Sequence, residues 1–126
     1  MRVQKGEYIA AFLFGFFAYG LFEIAGRGYT HWSMGLLGGI SMMLLYSMQL
    51  PRRTAALLGA VFVTCAEFTA GILENRILGW AVWDYSGLPL NFMGQICPLY
   101  SAVWFVLCRF ALIICGKMRD AYAVRD

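Results

Sequence analysis

Apolar residues fall into four long segments separated by short polar or turn-forming stretches. A bilayer core is about 30 Å thick, so a helix that crosses it needs about 20 mostly apolar residues. Segments of this kind occupy residues 8–26, 31–50, 55–79 and 97–116. Pro51, Arg52 and Arg53 separate the second segment from the third, because a proline and two charges interrupt an apolar helix. The pattern predicts an all-α membrane protein in which four helices form one transmembrane domain, residues 1–126.

The third and fourth segments are joined by an apolar but turn-rich connection, residues 80–96. Asp84 can accept hydrogen bonds from nearby backbone amides, and Pro89 fixes its own φ, so folded turns are expected. Non-helical backbone at membrane depth is tolerated only against protein or a cavity. We therefore expect an ordered segment over the outer mouth of the bundle, which either covers a site or simply seals the bundle. Asn91 is expected to cap a short helix that begins at Phe92 and extends the fourth helix backwards.

Composition agrees with a membrane location and excludes several function classes. The chain is 61% hydrophobic and 13% charged, whereas soluble domains carry about 25% charged residues. A net charge of +3 without a basic stripe argues against nucleic-acid binding. The four cysteines form no CxxC motif or Cys/His cluster, so neither a metal nor a cofactor is predicted. No nucleophile motif or P-loop is present, so we expect no enzyme and no ATP hydrolysis by this chain alone.

Lysine and arginine are distributed unevenly between the two ends of the predicted helices. Seven of the ten lie in the N-terminal tail, the loop between the second and third segments, and the C-terminal tail, namely Arg2, Lys5, Arg52, Arg53, Lys117, Arg119 and Arg125. Arg27 and Arg76 lie on the opposite side. Because these residues accumulate on the cytoplasmic side of membrane proteins, both termini are expected to be cytoplasmic. The first segment exceeds the apolar core of a signal peptide and is expected to remain as a helix.

Ionisable residues inside apolar segments are costly and therefore need a partner or a function. Glu67 lies twelve residues into the third segment, about 18 Å deep and near the bilayer midplane. Arg109 lies in the fourth segment at a height that differs by about 6 Å. Two alternatives follow. Either Glu67 and Arg109 form an ion pair, or Arg109 extends to the cytoplasmic headgroups and Glu67 is protonated or bonded to Thr64 or another helix.

Two more carboxylates lie towards the outer ends of the first and third segments. Glu23 and Arg27 are four residues apart, so they either form an interfacial ion pair or leave Glu23 to contact a ligand. Glu67, Gly71 and Glu74 are expected on one face of a helix. Such a face suits either a water-filled cleft or a hydrogen-bonded seam between helices.

The second segment begins with His31 beside Trp32, a pair that usually anchors a helix at the membrane interface. A catalytic or metal role for the histidine is the less favoured alternative. Gly35, Gly38 and Gly39 follow, and small residues at this spacing permit close helix approach. The full set of candidate contacts for a ligand or transported solute is Glu67, Arg109, Glu23, Glu74, Asp84, Asn91, Gln95, His31, Trp32 and Trp83.

Several strings in the sequence resemble one family of bacterial membrane proteins. Residues 30–39 (THWSMGLLGG) are similar to its second-helix motif. The second half of the motif set is carried by Glu67, Phe68, Gly71, residues 78–80 (LGW), 82–86 (VWDYS), 88–89 (LP), Asn91, 94–97 (GQIC) and Trp104. Over about residues 15–115 the chain resembles the Putative ABC-transporter type IV family, also called CmpB-like. It departs from the pattern at residues 97–100 (CPLY), where a cysteine, a leucine, a proline and an aromatic residue are expected in that order.

The resemblance implies a permease of the bacterial cytoplasmic (inner) membrane. Such a subunit would bind or pass a small solute and would rely on a separate ATPase for energy. Four helices are few for a transport path, so a homo-oligomer or a partner membrane subunit is expected. The alternative is a scaffold or regulatory partner in the cell envelope that transports nothing.

Overall fold

Four helices form a bundle in the computed structural model, which describes residues 5–125 and the side chains of residues 6–123. They are α1 (Lys5–Arg27), α2 (Trp32–Ser47), α3 (Arg52–Gly71) and α4 (Pro98–Arg125), and a π-helical segment, Ile72–Ile77, continues α3. Three stretches are long and apolar enough to cross a membrane, namely Gly6–Arg27, Arg52–Ile77 and Pro98–Ala123. Helix α2 is apolar but shorter. The predicted all-α membrane bundle is confirmed.

Helices α1 and α2 pack antiparallel at very close range, because glycines face each other at their contact. A Cβ added to Gly38 would lie 2.6 Å from the carbonyl oxygen of Gly15, closer than real Cβ atoms come. Added to Gly35 or Gly39, it would lie 2.7 or 2.6 Å from a phenylalanine ring of α1. The predicted close approach along the glycines of the second helix is therefore confirmed.

Helices α3 and α4 form the second closely packed pair, and two contacts define their register. The Thr64 and Ser101 hydroxyls are 2.9 Å apart. Further towards the start of α3, a Cβ on Gly59 would lie 3.0 Å from the Cys108 sulfur. Helices α1 and α4, by contrast, contact each other over only a short stretch. The bundle is therefore assembled from two hairpin-like pairs, with an opening along the α1–α4 side.

The second helix is shorter than the predicted segment 31–50. It ends at Ser47, whose hydroxyl donates to the Leu44 carbonyl at 2.7 Å. Met48 then adopts an extended conformation with φ −75° and ψ 130°. Pro51 follows, and a proline disfavours helical backbone at the residue before it. An apolar sequence therefore continues past the point at which the helix ends.

Helices α1 and α4 are longer at one end of the bundle than the predicted segments 8–26 and 97–116. Helix α1 begins at Lys5, and its buried Glu7 accepts a hydrogen bond from the Tyr46 hydroxyl. Helix α4 continues to Arg125, and on the way Arg119 donates to the Tyr46 carbonyl at 2.6 Å. Polar side chains that find partners on α2 thus allow both helices to extend beyond the apolar sequence.

The basic residues of the two predicted groups lie at opposite ends of the bundle. Arg52 lies beside Gly116, close to the end where Arg119 contacts α2; we call this the inner end. Arg27 lies at the other, outer end, where it donates to the Val82 carbonyl at 2.7 Å. Of the seven residues used to predict orientation, Arg2 and the side chains of Lys5 and Arg125 lie outside the described part of the chain.

Candidate functional site

The connection between α3 and α4 is non-helical, and side-chain hydrogen bonds attach it to the outer end of α3. Asn75 accepts from the Val82 amide at 2.6 Å and donates to the Gln95 side chain at 2.8 Å. The buried Trp83 indole donates to the Gln95 carbonyl at 3.0 Å. A Cβ on Gly71 would lie 3.0 Å from both Trp83 and Gln95. The site residues predicted from the sequence do not include Asn75. An amide side chain at the end of an apolar segment, shortly before an aromatic connection, would have indicated a residue that holds the connection.

Asp84 forms the predicted turn. Its carboxylate accepts a hydrogen bond of 2.9 Å from the Ser86 amide. That bond holds the pKa of Asp84 below its ordinary value, because a donor stabilises the charged carboxylate. Asp84 thus contributes to the fold of the connection as a charged residue at neutral pH.

Asn91 does not cap a helix, which corrects the sequence prediction. Its side chain accepts from the Gly94 amide at 3.0 Å and donates to the Leu88 carbonyl at 2.8 Å. Phe92 pairs with Ile96 in an isolated antiparallel bridge. Positive φ angles at Met93 (55°) and Gly94 (73°) turn the chain between them, so helix cannot form there. Helix α4 therefore begins only at Pro98.

Glu67 is the most buried charged residue among those described, at 1% exposed. The Tyr85 hydroxyl donates a hydrogen bond to its Oε2 at 3.1 Å. Burial, followed by the nearby Glu67 carboxylate, raises the pKa of Tyr85 above its ordinary value, so the hydroxyl keeps its proton and acts as the donor. The connection therefore reaches down to a carboxylate inside the bundle.

The alternative of a Glu67–Arg109 ion pair is wrong. Arg109 is exposed, and the ion pair found among the described residues joins Glu23 and Arg27 instead. The contact between Gly59 and Cys108 places Arg109 about level with Gly59, eight residues or about 12 Å along α3 from Glu67. Heights estimated from the apolar segments alone put the two groups too close, because segment boundaries do not determine how far α4 is shifted along α3, whereas the Thr64–Ser101 and Gly59–Cys108 contacts do.

Four aromatic rings form a continuous chain of contacts beside Glu67. Tyr85 stacks on Tyr100 with centroids 4.6 Å apart and an interplanar angle of 8°. Tyr100 lies 6.2 Å from Trp104, which lies 5.4 Å from Tyr19. The Trp104 indole lies beside Glu67, but among the described residues neither its N–H nor the Tyr19 hydroxyl completes a hydrogen bond. We call these rings the aromatic chain. Their contact is not predictable from the sequence, because the four rings come from α1, α4 and the connection.

An outer cavity of about 570 Å³ lies above the aromatic chain. Its lining comes from the connection, the outer ends of α1 and α4, and the loop between α1 and α2, and consists of Arg27, Tyr29, Ala81, Trp83, Asp84, Tyr85, Gly87, Leu88 and Tyr100. Arg27 is paired with Glu23 at 2.6 Å, so the interpretation of these two residues as an ion pair is confirmed. Tyr85 and Tyr100 belong to both the cavity and the aromatic chain, so they separate the outer cavity from Glu67.

A second opening, an apolar groove of about 260 Å³, runs along the side where α1 and α4 have little contact. The hydrogen-bonding side chains in its lining are those of Tyr19, Ser41, Trp104 and Cys108, and the rest of the lining is apolar. Tyr19 and Trp104 join the groove to the aromatic chain. Glu67 therefore lies between two openings, one polar and outward, the other apolar and lateral.

The remaining candidates lie away from Glu67. His31 caps the start of α2 by accepting from the Ser33 amide at 3.2 Å, and its ring lies 5.3 Å from Trp32 and 5.4 Å from Trp80. Trp32 is exposed, which agrees with an interfacial anchor. Glu74 is 5% exposed in the π-helical segment, and its Oε2 has no hydrogen-bond partner among the residues that the structure describes.

Comparison with protein-family models matches residues 10–123 to the model described as Putative ABC-transporter type IV. The matched region includes α2, α3, all but the ends of α1 and α4, the connection, Glu67 and the aromatic chain. No solved structure matches the chain.

Proposed function

Because the chain belongs to the Putative ABC-transporter type IV family, we propose that it is a permease-like subunit that binds or passes a small solute. The observation that carries this proposal is the position of Glu67. It is 1% exposed within a candidate membrane span, and it accepts a hydrogen bond from Tyr85, a residue that lines the outer cavity. An ionisable residue inside a membrane span is costly and is kept where it serves a solute, a proton or an ion.

The outer cavity supplies the entrance in this proposal. Binding sites are concave and carry a few polar groups that orient the ligand. The cavity is lined by Asp84, by Arg27, which is paired with Glu23, and by the stacked rings of Tyr85 and Tyr100. Displacement of Tyr85 would break its bond to Glu67 and expose the carboxylate to the cavity. Tyr85 is thus proposed as the residue that controls access to Glu67 from the outer side.

The proposed setting is the bacterial inner membrane, with both termini in the cytoplasm and the connection on the outer side. A separate ATPase would supply energy, because the sequence has no P-loop. A second copy or another membrane subunit would complete the transport path. The chain itself would bind or pass the solute and carry out no catalysis.

Thiol labelling tests this function directly. In a variant whose four native cysteines are replaced, Glu67→Cys is exposed to a membrane-impermeant thiol reagent applied from the outer side. We expect slow labelling when Tyr85 is present and at least about tenfold faster labelling when Tyr85→Ala is added. Cysteine in place of Ala60, buried on the same helix, is the matched control and should stay unlabelled. A scaffold or regulatory partner needs no route to Glu67, so absence of labelling with and without Tyr85 would favour that alternative.

A further inference from the structure

We propose that the ligand held at Glu67 is an organic cation with a single positive charge and an apolar body. This inference rests on the proposed function, since it names the ligand class of the same site. Three observations converge on it: the charge balance around Glu67, the aromatic chain beside it, and the apolar groove that adjoins the chain.

The charge balance leaves Glu67 without a cation. Arg27 is already paired with Glu23, and Arg109 is exposed about 12 Å away along the bundle. Within the described part of the chain, Glu67 therefore accepts a hydrogen bond from the Tyr85 hydroxyl but has no positive group at ion-pair distance. A buried carboxylate that lacks a counter-charge is strongly penalised in a membrane, so a cationic ligand would stabilise it.

The aromatic chain favours an organic cation over a bare metal ion. Tyrosine and tryptophan rings attract organic cations through the negative face of the ring, and clusters of such rings are used to recognise quaternary ammonium groups. Tyr100 and Trp104 stand next to each other on α4, and Tyr85 is stacked on the first of them. A metal ion would instead prefer several oxygen ligands, whereas no cluster of three or more carboxylate, histidine or cysteine groups occurs among the described residues.

The apolar groove accommodates the rest of such a ligand. Its volume of about 260 Å³ and almost entirely apolar lining suit a small hydrocarbon group. Tyr19 and Trp104 line the groove and belong to the aromatic chain, so a molecule in the groove can place one end beside Glu67. The Trp104 indole, which is 4% exposed and has no hydrogen-bond partner in the described part of the chain, lies at this junction. An amphiphilic cation thus matches both the charge and the shape of the site.

Binding of benzyltrimethylammonium tests the proposal. The full chain is placed in phosphatidylcholine nanodiscs, which carry no net lipid charge, and binding is followed by tryptophan fluorescence. We expect saturable binding, a Kd at least about tenfold higher in Glu67→Gln, and little change in Glu74→Gln. The second variant is a matched control, because Glu74 is also a buried carboxylate of the third span. Benzylsulfonate, which has the same ring and the opposite charge, should not bind.

A second pair of variants keeps the test decisive if Glu67→Gln does not fold. Tyr100→Leu removes a ring and should weaken binding about three- to tenfold, whereas Tyr100→Phe keeps the ring and should bind like the wild type. The proposal is overturned if the wild type does not bind benzyltrimethylammonium, if Glu67→Gln binds it equally well, or if benzylsulfonate binds as tightly. These results would leave the labelling of Glu67→Cys unaffected, so failure of the cation proposal is distinguishable from failure of the proposed function.

Discussion

The Tyr85 hydroxyl donates a hydrogen bond of 3.1 Å to Glu67, and this bond joins the outer connection to a carboxylate within the third helix. The partner of Glu67 is therefore a neutral hydroxyl, whereas one of the two alternatives predicted from the sequence was the charged side chain of Arg109. The bond also gives the connection a second role beyond closing the outer end. The same residue that lines the outer cavity holds the buried carboxylate, so the cavity and Glu67 should respond to ligands together.

Gly71 is predicted to be essential for the attachment of the connection. Gly71→Ala adds a Cβ that would lie 3.0 Å from Trp83 Cζ2 and from Gln95 Cβ, and closer still to Gln95 Oε1, so unfolding in bicelles should become easier by about 1–3 kcal/mol. Gly20→Ala is the matched control, because nothing lies within 4 Å of its added Cβ in α1. That substitution should be neutral or stabilising by up to about 1 kcal/mol, since alanine favours helix more than glycine does. Equal effects of the two substitutions would contradict the packing described for Gly71.

Asp84 is predicted to hold the connection in a pH-dependent way. Its pKa lies below its ordinary value because the Ser86 amide stabilises the charged form. The contribution is therefore present at neutral pH and disappears as the pH falls through that lowered pKa. Hydrogen exchange at the Ser86 amide, corrected for intrinsic rates, should lose protection in acid and in Asp84→Ala at neutral pH. Asp84→Asn keeps an acceptor oxygen and should show no acid-dependent loss; an identical acid response in that variant would exclude Asp84 as the cause.

The helices and the glycine contacts were predictable because they depend on local pattern. Apolar length predicts the spans, and the glycines of α2 predict the close contact with α1. The partner of Glu67 was not predictable in the same way. Its identity depends on how far α4 is shifted along α3, and a shift of a few residues moves Arg109 beyond reach. A segment boundary read from hydropathy is too imprecise to determine such a register.

The aromatic chain could not be predicted as a unit for a related reason. Its four rings come from three separate parts of the chain, and each ring taken alone resembles an ordinary apolar residue of a membrane helix. The predicted end of α2 is also wrong, since the apolar Met48, three residues before Pro51, is extended. Hydropathy reports where a chain avoids water, whereas the backbone conformation before a proline is decided by steric contact.

Membrane orientation remains a prediction that rests on the Lys and Arg distribution. A reporter enzyme fused to the C-terminus should report the cytoplasmic side, and a tag inserted at Gly87 should report the outer side. Insertion at Gly87 is suitable because an added Cβ there meets nothing within 4 Å. Detection of both reporters on one side would contradict the four-span topology, and the reverse assignment of the two sides would contradict the orientation on which the outer cavity is proposed as the entrance.

A pair of double-mutant cycles on unfolding free energy in bicelles tests the central claim, that Glu67 is held by Tyr85 and is independent of Arg109. Tyr85→Phe alone should destabilise the protein by about 1–3 kcal/mol, because a buried carboxylate loses its donor. Combined with Glu67→Gln, the two losses should be non-additive by at least about 0.5–1 kcal/mol. Arg109→Met combined with Glu67→Gln should be additive within about 0.5 kcal/mol. Additivity in the Tyr85 cycle, together with coupling in the Arg109 cycle, would contradict the account.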